Sequence, residues 1–202
     1  MKKNILVVII IILGMVSVWY LSQPGFFSRG EVVNTDSESA VWRGYSNIDF
    51  GFSIKVPPGY IVDEAYRYEA FGSGHEITGV SFTVPETLVS GTNLSRDSYI
   101  SVERLRDVAC TPSDFLDRVT SGEKVMLDNN EYNFATSSGV GAGNLYEEGV
   151  YMRSIGQYCY GIRLFMHSTN IYNYDSGTVL GFDREMLIRT FQLMATTADF
   201  RP

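Results

Sequence analysis

Two stretches decide the fold: LYEEGVYMRSI at residues 145–155 and CYGIRLFMH at residues 159–167, joined by a tight turn at Gly156-Gln157. Both read as long strands. A connection this short joins neighbours that run antiparallel, so the pair forms a hairpin. Moving outward, residues 131–136 make a further strand before a glycine-rich turn, SGVGAGN, at residues 138–144. Four more strands lie upstream. FGFSIKV at residues 50–56 alternates apolar with small or polar positions and stops at Pro57-Pro58-Gly59. Residues 61–70 continue with Tyr66 and Tyr68 on one face, residues 77–84 end before Pro85, and residues 98–105 follow.

Two segments carry helical signals. In residues 111–119 Thr111 is an N-cap, Pro112 sits at the first helical position, and Phe115, Leu116 and Val119 form the apolar stripe; Gly122 is the expected stop. In residues 182–194 Phe182, Met186, Leu187, Phe191 and Met194 fall on one helical face. The expected class is α+β, a mainly antiparallel sheet flanked by helices.

The N-terminus bears on location. From Ile5 to Leu21 the chain is continuously apolar after Lys2 and Lys3. A helix of that length spans roughly 25 Å against a bilayer core of about 30 Å. Trp19 and Tyr20 occupy its distal end, and the two lysines hold its start in the cytoplasm by the positive-inside rule. The alternative is a cleaved signal, and the chain secreted. The exit, VWYLSQP at residues 18–24, places bulky rings where cleavage needs small side chains, which favours an uncleaved single-pass anchor with the domain outside. The expected organisation is an anchor at residues 1–22, a linker at 23–46 and an extracytoplasmic α+β domain at 47–202. Within the linker, the Val41–Tyr45 patch is apolar enough to pack on the domain.

A family likeness can be stated on these residues. GFSIKVPPGY at residues 51–60, the long β-meander and the closing FDREMLIRTF at residues 182–191 resemble the PsbP/Mog1-like family. The likeness spans about residues 47–194 and implies an α/β/α sandwich. Residues 159–171, with Asn173 and Tyr174, are similar to uncharacterised membrane-anchored bacterial proteins. No functional residue carries over from either likeness.

Composition limits the function classes. In 202 residues, 45% are apolar and 13% aromatic, which excludes general disorder. The formal charge is −7, and setting aside Lys2 and Lys3 leaves −9 beyond the anchor. Such a domain is a poor binder of nucleic acid, which needs lysine and arginine to displace counterions. Cys110 and Cys159 both fall in the exported part. A bond between them would close a loop of about 50 residues and stabilise the fold by roughly 3–4 kcal/mol. The other reading is two buried thiols. Zinc held by these cysteines with His75 and His167 is disfavoured by the spacing.

The densest polar cluster is His167-Ser168-Thr169-Asn170, followed by Tyr172 and Tyr174. It sits at a strand end, where binding loops gather, so His167, Asn170, Tyr172 and Tyr174 are the candidate ligand or partner residues. The competing account is a strand-to-turn transition whose side chains satisfy loop backbone. Glu147-Glu148 is unusual within a strand. Alternation puts the two on opposite faces, one of them able to point inward beside Arg153 or Arg163.

The expected function is a membrane-tethered extracytoplasmic binding or accessory domain without cofactor or metal. It would contact the bilayer through the apolar run and an envelope protein or small ligand through the cluster. The alternative is a cell-envelope hydrolase working from His167.

Overall fold

The computed structural model describes residues 41–201. The expected anchor and most of the linker lie outside them. Among the described residues no helix is long and apolar enough to cross a membrane. The strands are β1 (Arg43–Asn47), β2 (Phe52–Val56), β3 (Ile61–Asp63), β4 (Arg67–Tyr68), β5 (Ile77–Thr83), β6 (Tyr99–Arg106), β7 (Ser121–Leu127), β8 (Asn130–Gly141), β9 (Asn144–Ile155), β10 (Tyr158–Thr169) and β11 (Asp199–Phe200). Among the described residues two α-helices accompany them, α1 (Glu86–Val89) and α2 (Arg184–Thr196). Pro112–Asp114 and Ile171–Asn173 form single 3₁₀ turns.

The main sheet runs β3-β5-β6-β10-β9-β8-β7, with β4 also on β5, and every pairing is antiparallel. The β9–β10 hairpin opened above is its centre: Ile155 pairs with Tyr158 and Asn144 with Thr169. A small sheet, β1-β2-β11, stands beside it. Arg43–Ser46, read as linker, are thus strand residues paired with β2.

Both faces of the main sheet are covered, by different means. On the first face lie Phe82, Ile100, Val102, Ile162 and Leu164, all buried. Tyr45 of β1 meets Phe82 edge-on at 5.3 Å, and α2, whose buried side includes Leu187, Phe191 and Met194, packs against β10. Phe191 stacks on Tyr151 with ring centroids 4.9 Å apart. The Asp183 carboxylate caps α2 by accepting from Met186 N, which fixes where the helix starts.

The second face carries its own core: Tyr66, Tyr68, Ile77, Cys110, Phe115, Leu116, Val150, Met152 and Cys159. No helix covers it among the described residues. Irregular chain around Tyr66–Tyr68 and Cys110–Leu116 does, and the Cys110–Cys159 disulfide fastens the second of these segments to β10, with Cα atoms 5.3 Å apart. The α/β/α sandwich expected from the PsbP/Mog1 likeness is therefore overturned. The domain is β-rich, and among the described residues helix covers one face of the sheet only.

The expected helix at residues 111–119 shrinks to the Pro112–Asp114 turn, for visible reasons. Asp114 accepts from Thr111 N at 2.7 Å and Thr111 Oγ1 at 2.9 Å, closing one turn. The Phe115 carbonyl, which a longer helix would use, instead accepts from Arg163 Nη2 at 2.8 Å. The Phe115 ring drops onto β10 at Gly161, where a Cβ would lie 2.3 Å from Cε1. Gly122, expected to stop the helix, is a β7 residue.

Two strand boundaries also move. The expected strand at 61–70 breaks because Asp63 Oδ1 accepts from Ala65 N at 2.9 Å and turns the chain between β3 and β4. The glycine-rich segment is mostly strand. β8 continues through Gly141, and only Ala142 and Gly143 turn, with φ of 50° and 80°. Two successive positive φ values are the signature of the tight hairpin turn that matches strand twist.

Candidate functional site

The four candidate residues do not converge. Along β10 successive side chains face opposite sides of the sheet. His167 falls on the second face, where its ring stacks on Tyr146 at 4.5 Å and Nδ1 lies 2.8 Å from Asp97 Oδ1. Its Nε2 is buried and has no hydrogen-bond partner among the described residues, so no hydroxyl completes a nucleophile–histidine–carboxylate relay there. Ser168 faces the other way. Asn170 begins the Ile171–Asn173 turn, its side chain accepting from Tyr172 N at 3.1 Å. Tyr172 is 91% exposed and Tyr174 38% exposed.

Asn170 and Ser168 do line a hollow of about 580 Å³ on the first face. Its floor is Leu145, Glu147 and Ser168, from β9 and β10, with exposed Val140 of β8 at its lip. Its walls are Ile171, Phe182 and Arg184. The sequence explains why the corner stays open. Gly139, Gly141 and Gly143 leave the β8–β9 tip without bulky side chains, and the chain from Ile171 to Gly181 forms only short turns.

Asn93 holds the back wall in place. Its Nδ2 donates to Thr169 O at 2.7 Å and its Oδ1 accepts from Phe182 N at 3.0 Å. One amide thereby ties the end of β10 to the approach to α2. Glu147 and Arg184 form an ion pair at 2.8 Å across the hollow. The sequence flagged Glu147 as out of place in a strand, but gave no sign of Arg184 as its partner or of Asn93 as a brace.

Glu148 points to the second face, opposite to Glu147, and its partner is Arg163. Arg163 is fully buried and grips fully buried Glu103 with two parallel bonds, Nε to Oε1 at 2.7 Å and Nη2 to Oε2 at 2.9 Å. Nη1 donates to Glu148 Oε2. The Tyr68 ring lies against the guanidinium, centroid 3.6 Å from Cζ. Tyr66 and Ser101 both donate to Glu103 Oε1 at 2.8 Å, and the Tyr68 hydroxyl donates to Glu148.

Two carboxylates share one cation. Burial opposes the Arg163 charge, but the Glu103 and Glu148 carboxylates together outweigh it and hold the guanidinium protonated well above its ordinary value. Burial pushes the Glu148 carboxyl up, with Arg163 and Tyr68 pulling the other way and only partly offsetting it. Burial likewise raises the Tyr66, Tyr68 and Tyr99 hydroxyls, keeping them neutral donors. The cluster pins the second-face cover through Tyr66, Tyr68 and the Phe115 carbonyl. Its groups spend their hydrogen bonds on one another, so the hollow is the better candidate for a ligand.

Cys110 and Cys159 are bonded, which removes both from any metal set. Among the described residues no group of three metal-ligating side chains is gathered. His75 and Glu76 lie in an exposed turn where Glu76 Oε1 accepts from Gly74 N at 3.0 Å, a bond that lowers its carboxyl.

No protein-family model matches the chain, and no curated protein matches it. Among solved structures, a protein from Bacteroides thetaiotaomicron is similar with a TM-score of 0.41 and 12% identity. The match covers 75% of this chain and 45% of that one, so the chain spans under half the length of that relative.

Proposed function

We propose that the protein is a membrane-tethered extracytoplasmic binding domain that receives its ligand or protein partner in the hollow at the β8–β9 tip. The hollow carries the reading. It is a largely apolar concavity of about 580 Å³ with a few polar groups at its border, the usual make-up of a binding site. The apolar run at residues 5–21 supports the tether, and the disulfide suits an oxidising compartment outside the cytoplasm. Half-buried braces hold the site: Asn93 behind it, and the Glu147–Arg184 pair across it.

Site-specific photocrosslinking in intact cells tests this. A benzophenone side chain at Val140, 84% exposed at the hollow's lip, should yield a discrete adduct. The same probe at Ile48, 94% exposed and in the turn after β1, should not. Ile171→Glu should abolish the Val140 adduct. Equal labelling from both positions, or an adduct indifferent to Ile171→Glu, would remove the hollow as the site.

A further inference from the structure

The β8 edge beside the hollow is one strand short. β7 pairs with β8 from Leu127–Asn130 as far as Ser121–Thr136 and then leaves, while β8 pairs with β9 on its other side out to Gly141–Asn144. Over residues 137–141, β8 therefore has β9 on one edge and no strand on the other among the described residues. The backbone phase of that open edge can be worked out. In an antiparallel ladder, alternate residues direct both N–H and C=O to the same neighbour. The Thr136 carbonyl points outward, accepting from Thr120 N at 2.8 Å. Stepping by two, Ser138 and Val140 also present their N–H and C=O outward. The hairpin agrees, because its closing pair, Gly141 with Asn144, bonds inward.

The surroundings leave this edge accessible. Ser138 and Gly141 are exposed, Val140 is 84% exposed, and a Cβ built on Gly139 or Gly141 meets nothing within 4 Å. The edge also lacks the usual protection against strand addition: residues 137–141, SSGVG, contain no charge and no proline. Val140 belongs at once to the open edge and to the lip of the hollow.

We propose that the hollow's ligand is an extended polypeptide segment that adds to the sheet along Ser138–Gly141 and places an apolar side chain into the hollow. Main-chain bonds to Ser138 and Val140 supply affinity. The pocket of Leu145, Ile171 and Phe182 selects the side chain, the division of labour found in β-strand addition. Alternate side chains of the incoming strand face the two sides of the sheet, so about one residue in two points to the hollow's side. The Glu147–Arg184 pair is satisfied within the chain, which leaves the apolar walls to set the preference. This inference rests on the binding reading of the same hollow.

The probe is a linear heptapeptide phage library panned on the full-length protein in detergent micelles, the enriched peptides then being synthesised and measured by fluorescence polarisation. Enriched peptides should share one large apolar residue within a β-favouring sequence. N-methylation of alternate peptide amides should weaken binding about tenfold or more, and methylation of the intervening amides should not. This test leaves the protein untouched. Val140→Pro, which deletes one outward donor, should reproduce the loss. A peptide lost on Ile171→Glu yet indifferent to N-methylation at every amide overturns strand pairing while keeping the hollow as a site. Absence of any enriched peptide overturns the proposal, and photocrosslinking at Val140 then decides separately whether the hollow binds at all.

Discussion

Replacing Arg163 by methionine isolates what the buried charge cluster contributes. The change keeps most of the side-chain volume and removes the cation. Glu103, fully buried, loses both arms of its bidentate partner, and the Phe115 carbonyl loses its donor. Removing one member of a buried ion pair costs about 3–5 kcal/mol, because a charge is left uncompensated in a poor solvent. Tyr66 and Ser101 still donate to Glu103, which points to the lower end of that range. The orphaned Phe115 carbonyl adds about 1–3 kcal/mol if no water reaches it. A loss near 4 kcal/mol corresponds to a melting temperature lower by about 8–16 °C for a domain of this size. Urea unfolding followed by circular dichroism at pH 7 measures it. The deficit should shrink on acidification, because the stranded carboxylate escapes its penalty by taking up a proton. A loss below about 1 kcal/mol at pH 7, or one independent of pH, would refute the account of the cluster as a paired, desolvated unit.

Two further outcomes follow from the same side of the sheet. Glu148 titrates higher when folded than when unfolded, so the folded state binds more protons between the ordinary glutamate value, about 4.3, and its raised one. Its contribution is fully present below that window and is lost as pH rises through it. Glu148→Gln should flatten that segment of the stability–pH curve, and an unchanged slope would show that Glu148 does not cause it. Breaking the Cys110–Cys159 bond by Cys159→Ser should cost about 3–4 kcal/mol from the 49-residue separation, and a maleimide should give no band shift with the wild-type protein until it is reduced. Native protein that reacts with maleimide without reduction would count against the bond.

The hairpin of residues 145–167 was legible because periodicity and a two-residue turn are local properties. The strands near residues 52–56, 77–83 and 99–106 and the closing helix also followed from residue types and spacing, and of the two readings left for the cysteines the structure has the bond. The segment at 111–119 was not legible. Its capping residues do make a turn, but a guanidinium 48 positions away claims the carbonyl that would have continued a helix. The likeness to an α/β/α sandwich failed at the same place, since it needed a helix on the second face.

The candidate site divides similarly. The sequence located the strand end at Ser168–Asn170, and the hollow is there. It grouped His167 with Asn170 because they are neighbours in the chain, whereas β-alternation sends them to different environments. The sequence alone determined the central hairpin, the closing helix, the acidic balance and the apolar N-terminal run, because each depends on residue types or on residues close together in the chain. Only the tertiary structure decided which glutamate meets Arg163 and which meets Arg184, how the second face is closed, and that β8 outruns its neighbour at Thr136. Those outcomes depend on which distant backbones come into register, and strand register is set by long-range packing that no local pattern records.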